Sequence, residues 1–246
     1  MSNTVLITGV SRPGSIGTEI ARHFLNEGFN VIVHGLNQYD QQMLYKDKDS
    51  AAEFEGDVVK LADSDLSTED GIQELAKMIE SNGNINHLVL CHAYSTQSHF
   101  KDWSFEEINK HLITNITASM LLVQAFKKQF NSEQGCITLF SSGQLLGPMI
   151  SEIPYAVSKA GVANLPLHLS FLVGEENIRI NAVNPGPTDT GYIDENESVY
   201  KEIESRFNQK RWGKPSDIAN LISFLHSDKG QWITGQVINS EGGFLR

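Results

Sequence analysis

The chain has 246 residues, which is long enough to bury a core within one α/β domain. Of these residues 40% are hydrophobic and 20% charged, a composition that excludes global disorder. Its formal net charge of -11 disfavours nonspecific binding to nucleic acid or to an anionic membrane, because both would be repelled. The cysteines, Cys91 and Cys136, lack metal-ligand spacing, which argues against a disulfide framework or a metal site and favours a reducing compartment.

Short β-branched runs alternate with stretches of helical periodicity along the chain. The predicted strands are Thr4–Thr8, Phe29–Val33, Val58–Ala62, His87–Leu90, Cys136–Phe140, Arg179–Val183 and Gln236–Asn239. The predicted helices are Gly17–Asn26, Thr68–Ser81, Phe105–Phe130 and Ala156–Leu172. Buried strands joined by helical crossovers predict a doubly wound, Rossmann-type parallel sheet with helices on both faces.

No linker, repeat or low-complexity tract divides the chain, so residues 1–246 are expected to form a single domain. The least regular stretch is Pro187–Arg211, which is polar and rich in Glu and Asn. It is either a substrate flap or a solvated helix and loop, since long excursions within compact domains are often functional. The start of the chain carries no basic segment and no apolar run is expected to reach membrane-spanning length, so we expect a soluble cytoplasmic protein without a membrane partner.

A glycine-rich turn, GVSRPGSIG, connects the first predicted strand to the first helix. Glycines let the backbone approach a pyrophosphate, and the amides of a helix N-terminus favour negative charge. A turn that only links the two elements is the alternative, which the position between strand and helix disfavours. The residues of this turn predicted to bind a dinucleotide are Gly9, Ser11, Arg12, Gly14, Ile16 and Gly17.

The position that recognises the adenosine ribose is expected to follow the second strand, at residues 35–37, which makes Asn37 a candidate contact. The acidic residue typical of NAD-selective sites is absent from Gly35 and Leu36, and Arg12 could face a 2′-phosphate instead. This favours NADP(H) over NAD(H), although Arg12 could also be a solvated surface charge. Further cofactor contacts are predicted after the third strand, at Asp65 and Leu66, unless Asp65 only begins the next helix.

Tyr155 and Lys159 are spaced i,i+4, which places a phenol and an ammonium on one helix face. A tyrosine pKa of about 10 is too high for proton transfer at neutral pH, and a neighbouring Lys cation would lower it. The pair is common on helix surfaces, but here it follows a strand that ends in Ser141 and Ser142. Ser142, or Ser141 in its place, could bind a substrate oxygen. Asn115 is either a buried structural amide or part of a proton path.

A hydrolase is a weaker interpretation of the same residues. No G-x-S-x-G elbow surrounds Ser142, and the eight histidines lack metal-ligand spacing. His92 lies near the expected cofactor edge, where we expect it to pack or to form a loop hydrogen bond.

Together these motifs resemble those of the short-chain dehydrogenase/reductase family over essentially the whole chain. TGVSRPGSIG is similar to the glycine turn of that family, FSSG followed by YAVSK to its Ser and Tyr-x-x-x-Lys, NPGPTDT to its Pro-Gly segment, and RWGKPSDIA and ITGQVINSEGG to its C-terminal motifs. The resemblance implies an NAD(P)-dependent oxidoreductase that forms a homo-oligomer, most often a tetramer.

The resemblance also implies a role for each candidate residue. Tyr155 would be the general acid/base, and Lys159 would lower its pKa and hold the nicotinamide ribose. Ser142 would orient the substrate oxygen, and Asn115 would support a water-linked proton relay. The residues expected beside the cofactor are Ala93, Gly186 and Thr188, with Thr190 closing that segment.

The sequence departs from the family pattern at three places. The glycine turn is two residues longer, so either Gly14 or Ile16 with Gly17 contacts phosphate. The usual Asn-Asn-Ala-Gly after the fourth strand is CHAY, residues 91–94, which changes the adenosine side. The ribose position lacks the acidic residue, and Leu36 replaces the Arg common in NADP members.

We therefore expect reversible hydride transfer between NAD(P)(H) and a small carbonyl or alcohol substrate, with 3-oxoacyl-reductase-like or general carbonyl reductase activity. The acidic segment 187–211 offers no basic surface for an acidic carrier protein, which disfavours carrier-bound substrates. The alternative is a nucleotide-binding sensor or assembly protein that uses the same fold without turnover, and the altered segment after strand four is its only support.

Overall fold

The computed structural model describes residues 3–43 and 45–244, and within them seven parallel strands form one sheet in the order β3-β2-β1-β4-β5-β6-β7. The strands are β1 Thr4–Thr8, β2 Asn30–His34, β3 Val58–Lys60, β4 His87–Leu90, β5 Gly135–Phe140, β6 Ile178–Asn184 and β7 Val237–Asn239. The helices are α1 Ile16–Asn26, α2 Asn37–Gln42, α3 Glu69–Asn82, α4 Phe105–Leu112, α5 Ala118–Gln129, α6 Ile153–Val173, α7 Ser198–Ser205 and α8 Pro215–His226. The predicted doubly wound fold is confirmed.

Helices cover both faces of the sheet, and the core is split accordingly into two apolar layers. Leu6 of β1 points to the layer that includes α3 and α5, while its neighbour Ile7 points to the layer that includes α1 and α8. Successive strand residues face opposite sides, so β1 and β4 are buried along their whole length. The strand order reverses between β1 and β4, and ligands of such sheets bind at the carboxyl ends of the strands near this point.

Two helices of the structure were absent from the sequence-based prediction. One is α2, which follows β2 in a polar stretch without apolar periodicity. The other is α8, which packs against α1. Its start carries recognisable signals, since Pro215 is the first helical residue and the Asp217 carboxylate accepts a hydrogen bond from the Lys214 amide at 2.8 Å.

The predicted continuous helix Phe105–Phe130 is wrong at its centre, where a π-helical turn, Ile113–Thr117, separates α4 from α5. Asn115 lies in this turn and its side chain bonds outside its own helix. Such turns frequently mark functional sites.

The segment 187–211 is partly helical, because it contains α7, and it is anchored by aromatic packing. The ring of Tyr200 stacks on Trp212 with centroids 4.7 Å apart, and its hydroxyl donates to Asp189 Oδ2 at 2.9 Å. The helix-and-loop interpretation therefore describes α7, and the substrate flap stays a prediction.

One helical stretch, Ile153–Glu176, is long and apolar enough to cross a membrane by length and composition alone, with a mean hydropathy of 1.2 over its best window. The expectation that no apolar run reaches this length is therefore wrong on that criterion. Although only 28% of that window is buried, the stretch packs on β5 and β6, and one such helix is weak evidence for a membrane span.

Candidate active site

A cleft opens at the carboxyl ends of β1, β2 and β4, beside the N-terminus of α1. Gly9 follows β1 with φ of 74°, and a Cβ there would lie 2.8 Å from the carbonyl oxygen of Cys91. Gly35 follows β2, where a Cβ would lie 2.4 Å from the carbonyl oxygen of Val10. Glycine is required at both positions, because a side chain at either would force the strand ends apart.

The cleft has a volume of about 240 Å³. Eight of the predicted cofactor contacts line it: Gly9, Ser11, Arg12, Ile16, Gly17, Asp65, Leu66 and Ala93. Of the two alternatives for the long glycine turn, Ile16 and Gly17 reach the cleft. Gly14 does not line it, since its amide faces Asp47 instead.

Five other predicted contacts also lie outside the lining, of which Tyr155 and Lys159 belong to the reacting centre described below. The amide and side chain of Asn37 both donate to Asp63 Oδ2, which turns Asn37 away from the cleft. Gly186 has φ of 61°, and a Cβ there would lie 2.6 Å from the Cβ of Glu241. Thr188 is buried and its hydroxyl bonds within its own turn, while Thr190 does line the cleft.

Asp65 lies at the cleft and does not begin α3, whose N-cap is Thr68. It lines the cleft, and its carboxylate also accepts a hydrogen bond from the Ser67 amide at 2.8 Å just before α3. Leu66, which follows it, is buried.

Arg12 is not a solvated charge, because only 5% of the residue is exposed. Its guanidinium pairs with Asp47 at 2.9 Å and with Asp40 at 3.9 Å, and it donates to the carbonyl oxygen of Thr190 at 2.6 Å. The ring of Tyr45 covers it at 3.6 Å. Arg12 therefore stands at the cleft with its charge matched by two carboxylates.

Sequence reasoning missed Asp40 and Tyr45, both of which line the cleft. Asp40 lies on α2 and accepts a hydrogen bond from the hydroxyl of Ser11. Burial raises the pKa of Asp40, and the interactions with Ser11 and Arg12 oppose that rise. The signal in the sequence was Asp40 itself, an acidic residue six positions after β2. We expected such a residue directly at the end of the strand, at residues 35–37.

The altered segment after β4 is held by two new hydrogen-bond systems. The hydroxyl of Thr8 accepts from the amides of Cys91 and His92, so its proton points to Nδ1 of His92 at 2.7 Å. Burial lowers the pKa of His92 to about 3, which keeps the ring neutral. The expectation of a loop hydrogen bond for His92 is confirmed.

Asn115 forms the second system and is fully buried. Its Oδ1 accepts from the Tyr94 amide at 2.8 Å, and its Nδ2 donates to the Tyr94 carbonyl at 3.0 Å and to the Ser158 hydroxyl at 2.8 Å. Asn115 thus ties the segment after β4 to α6, so the structural-amide interpretation holds for its side chain.

Tyr155 and Lys159 lie on α6 beside the end of β5. The Lys159 ammonium is 5.7 Å from the centre of the Tyr155 ring and donates to the Phe140 carbonyl at 2.8 Å. Burial lowers the pKa of Lys159 to about 8. Burial also raises the pKa of Tyr155 to about 12, and only Ser142 opposes this rise. The two groups are brought together as the spacing predicted, but on balance the pKa of the phenol is raised and not lowered.

Of the two adjacent serines, Ser142 is the one that interacts with Tyr155. The side chain of Ser141 is buried, and its hydroxyl has no hydrogen-bond partner among the described residues. Glu152 and Tyr192 complete the surroundings of the phenol, since Glu152 contributes to the raised pKa of both tyrosines.

The cleft suits the adenosine half of a dinucleotide. The glycine positions bring three strand ends close together beside the N-terminus of α1, where phosphates bind readily. His34 lines the wall, is kept neutral by burial, which lowers its pKa to about 4, and its buried Nδ1 has no hydrogen-bond partner among the described residues. Such an orphaned ring nitrogen is expected where a polar ligand group completes the site.

Comparison with known proteins places these features in context. Residues 9–245 match the family described as enoyl-(acyl carrier protein) reductase. The chain is 32% identical to an uncharacterized oxidoreductase of Bacillus subtilis over 98% of this chain and 96% of that protein. It is also 32% identical to the 3-oxoacyl-[acyl-carrier-protein] reductase of Rickettsia conorii, with the same coverage.

Among solved structures, the angucycline C-6 ketoreductase LanV with bound NADP superimposes with a TM-score of 0.84 at 25% identity, covering 99% of this chain and 95% of that one. Its cofactor is a dinucleotide, the class of ligand that the cleft suits.

Proposed function

The chain belongs to the short-chain dehydrogenase/reductase family and is an NAD(P)-dependent oxidoreductase acting on carbonyl or alcohol substrates; from this premise we propose that it reduces a small ketone or aldehyde, with Tyr155 as the general acid. The observation that carries the proposal is the convergence of Tyr155, Ser142 and Lys159 at the end of β5. The bound dinucleotide supplies the hydride.

The residues of this chain supply the proton and the position of the oxygen. Burial raises the pKa of Tyr155 to about 12, so the phenol keeps its proton in the neutral range and needs the Ser142 hydrogen bond and the Lys159 charge to give that proton to a carbonyl oxygen as it becomes an alkoxide. The Ser142 hydroxyl lies beside the phenol and donates to the same oxygen. Lys159 adds a positive charge behind the phenol that stabilises the phenolate after proton transfer.

The assignments of cofactor residues follow from the cleft and the family pattern. Gly9, Ile16 and Gly17 approach the pyrophosphate, Asp65, Leu66 and Ala93 lie at the adenine side, and Gly186 and Thr188 lie by the nicotinamide. Asn115 braces the wall between them and, through its backbone turn, would support a proton relay.

NADPH is the preferred cofactor in this proposal. Arg12 is the cation nearest the ribose side of the cleft, and the ketoreductase LanV binds NADP. The two carboxylates on Arg12 weaken this preference, because a 2′-phosphate would compete with them.

The substrate enters beneath the segment 187–211, whose Tyr192 lies close enough to Tyr155 to share electrostatic effects with it. This segment carries four acidic side chains before α7, namely Asp189, Asp194, Glu195 and Glu197, and the Glu152 carboxylate lies near its Tyr192. We therefore favour general carbonyl reduction, or 3-oxoacyl groups on a small thiol, over substrates on an acidic carrier protein.

A homo-oligomer, tetrameric as is most common in the family, is supported by an exposed apolar face on α5 and α6. Phe171 is 81% exposed and Leu172 62%, and Met120 and Leu121 are exposed as well. Exposed apolar side chains on two helices that pack on the same face of the sheet are typical of an interface. Two free cysteines, Cys91 and Cys136, suit a reducing compartment such as the cytoplasm.

The test is cofactor oxidation over a panel of ketones, aldehydes and 3-oxoacyl thioesters, carried out with wild type and Tyr155→Phe. We expect Tyr155→Phe to lower turnover by about 10²- to 10⁴-fold while the dissociation constant for NADPH stays unchanged. Tyr200→Phe is the matched control, because Tyr200 lies outside the cleft lining. Tight NADPH binding without turnover of any substrate, and with no effect of Tyr155→Phe, would refute the enzyme and leave a sensor.

A further inference from the structure

The segment from Tyr45 to Asp47 lies against the cofactor cleft and is tied to both of its sides. The Asp47 carboxylate accepts from the Gly14 amide at 2.6 Å and from Arg12 at 2.9 Å. The Lys46 amide donates to the Gly191 carbonyl at 3.2 Å, and the Lys46 ammonium pairs with Glu195 at 3.4 Å. The segment therefore joins the glycine turn to the acidic segment that follows β6.

Asp47 makes the contacts that a phosphate oxygen would make. A backbone amide of a glycine turn and a guanidinium are typical donors to a phosphate, and a carboxylate is the side chain that best imitates one. A Cβ on Gly14 would lie 2.9 Å from Asp47 Oδ2, so the two groups are in close contact.

Tyr45 closes the same cleft from the side of the reacting centre. Its ring lines the cleft and covers Arg12, and it is close enough to Tyr155 to help raise the pKa of that phenol. None of Tyr155, Lys159 and Ser142 is among the described residues that line the cleft. The volume of about 240 Å³ is below the range of about 300 to 1,000 Å³ that small-molecule sites usually have.

We propose that Tyr45–Asp47 is a strap that competes with a dinucleotide for the cofactor cleft, because the Asp47 carboxylate takes the place of a cofactor phosphate on Gly14 and Arg12. The inference rests on the proposed function, since a dinucleotide must be what displaces the strap. Departure of Asp47 releases one of the two carboxylates from Arg12, and departure of Tyr45 joins the adenosine side of the cleft to Tyr155.

Cofactor binding then includes the free energy needed to open the strap. The dissociation constant observed is the intrinsic constant divided by the fraction of open molecules, so weakening the strap must tighten binding. The Asp47 carboxylate is three-quarters buried and makes one charged and one amide hydrogen bond. Its removal is expected to lower the dissociation constant by about fivefold to tenfold.

The experiment compares wild type, Asp47→Ala and Asp49→Ala by titration with NADPH and NADH, followed by cofactor fluorescence in the absence of substrate. Asp49 is the matched control: it removes the same charge two positions away, and its exposed carboxylate makes no hydrogen bond or ion pair with the residues that the structure describes. Amide hydrogen exchange of Lys46 and Gly14 is measured on the same samples, with and without NADPH.

We expect tighter binding in Asp47→Ala and not in Asp49→Ala, with faster exchange at Lys46 in Asp47→Ala and in wild type after addition of NADPH. A gain for both dinucleotides identifies the pyrophosphate as the group that displaces Asp47, and a gain for NADPH alone identifies the 2′-phosphate. Equal dissociation constants in wild type and Asp47→Ala, with exchange at Lys46 unaffected by NADPH, overturn the strap alone. Absence of binding to either dinucleotide in all three proteins overturns the proposed function as well.

Discussion

Replacement of Lys159 by Met is expected to stabilise the folded protein relative to wild type at neutral pH and to abolish turnover. Lys159 is 3% exposed, and burial lowers the pKa of its ammonium from 10.5 to about 8. At pH 7 the folded protein therefore contains a buried charge whose hydration was lost on folding. Met has a similar length and carries no charge, so it fills the same space without that cost.

The magnitude follows from the difference between the two pKa values. A fall from 10.5 to about 8 costs the protonated form about 3 kcal/mol at pH 7. The variant also leaves the Phe140 carbonyl without its hydrogen bond, which offsets about 1 to 2 kcal/mol of the gain. The net stabilisation expected at pH 7 is about 1 to 2 kcal/mol.

The pH dependence separates the charge from the hydrogen bond. Because the folded pKa is lowered, the unfolded chain binds more protons between pH 8 and 10.5, so the wild-type free energy of unfolding rises with pH in that window. At about pH 9.5 the cost of the buried charge has fallen to about 1 kcal/mol. The advantage of the variant over wild type should then shrink by about 2 kcal/mol, whatever the lost hydrogen bond is worth.

The assay is urea unfolding of wild type, Lys159→Met and Lys77→Met at pH 7 and 9.5. Lys77 is exposed on α3 and serves as the matched control, whose difference from wild type should not change with pH. A constant difference between Lys159→Met and wild type at the two pH values would show that the ammonium of Lys159 is not destabilised by burial. The reasoning about its charge would then be wrong.

Two further predictions concern the brace and the exposed face. Asn115→Ala removes the hydrogen-bond partner of the Tyr94 amide and of the Ser158 hydroxyl, so the free energy of unfolding measured in urea should fall by about 2 to 4 kcal/mol. Asn164→Ala, on the exposed side of α6, is the control and should change the free energy of unfolding little. Phe171→Glu should weaken self-association at least about tenfold in sedimentation, whereas Val59→Glu on β3 should not. If Phe171→Glu sediments with the same mass as wild type at all concentrations, α6 is not part of the interface.

The proximity of Tyr155, Lys159 and Ser142 could be predicted from the sequence because their geometry is local. Tyr155 and Lys159 are one helical turn apart, and Ser142 follows the end of β5 by two residues, so no long-range contact has to be known. The glycine turn was predictable for the same reason, since the strand, the turn and α1 are consecutive.

The strap and the ribose side were not predictable, because they depend on contacts between distant segments. Asp47 meets Gly14 across 33 residues and Arg12 meets Thr190 across 178, and neither contact leaves a pattern in the residues themselves. Asp40 belongs to a polar helix of six residues, which is too short for apolar periodicity to reveal.

The altered segment after β4 is as compatible with an enzyme as the usual family motif would be. Where the family has Asn, His92 accepts the proton of Thr8, and Asn115 fastens Tyr94 through both backbone groups. Tyr94 lines the cleft as Ala93 does, and it is held against α4, because its hydroxyl donates to Glu107 at 3.0 Å and its ring meets His111 at 4.7 Å. The hydrogen bonds of His92 and Asn115 thus brace the segment, and Ala93 still reaches the cleft. The altered segment therefore no longer favours a sensor without turnover over an enzyme.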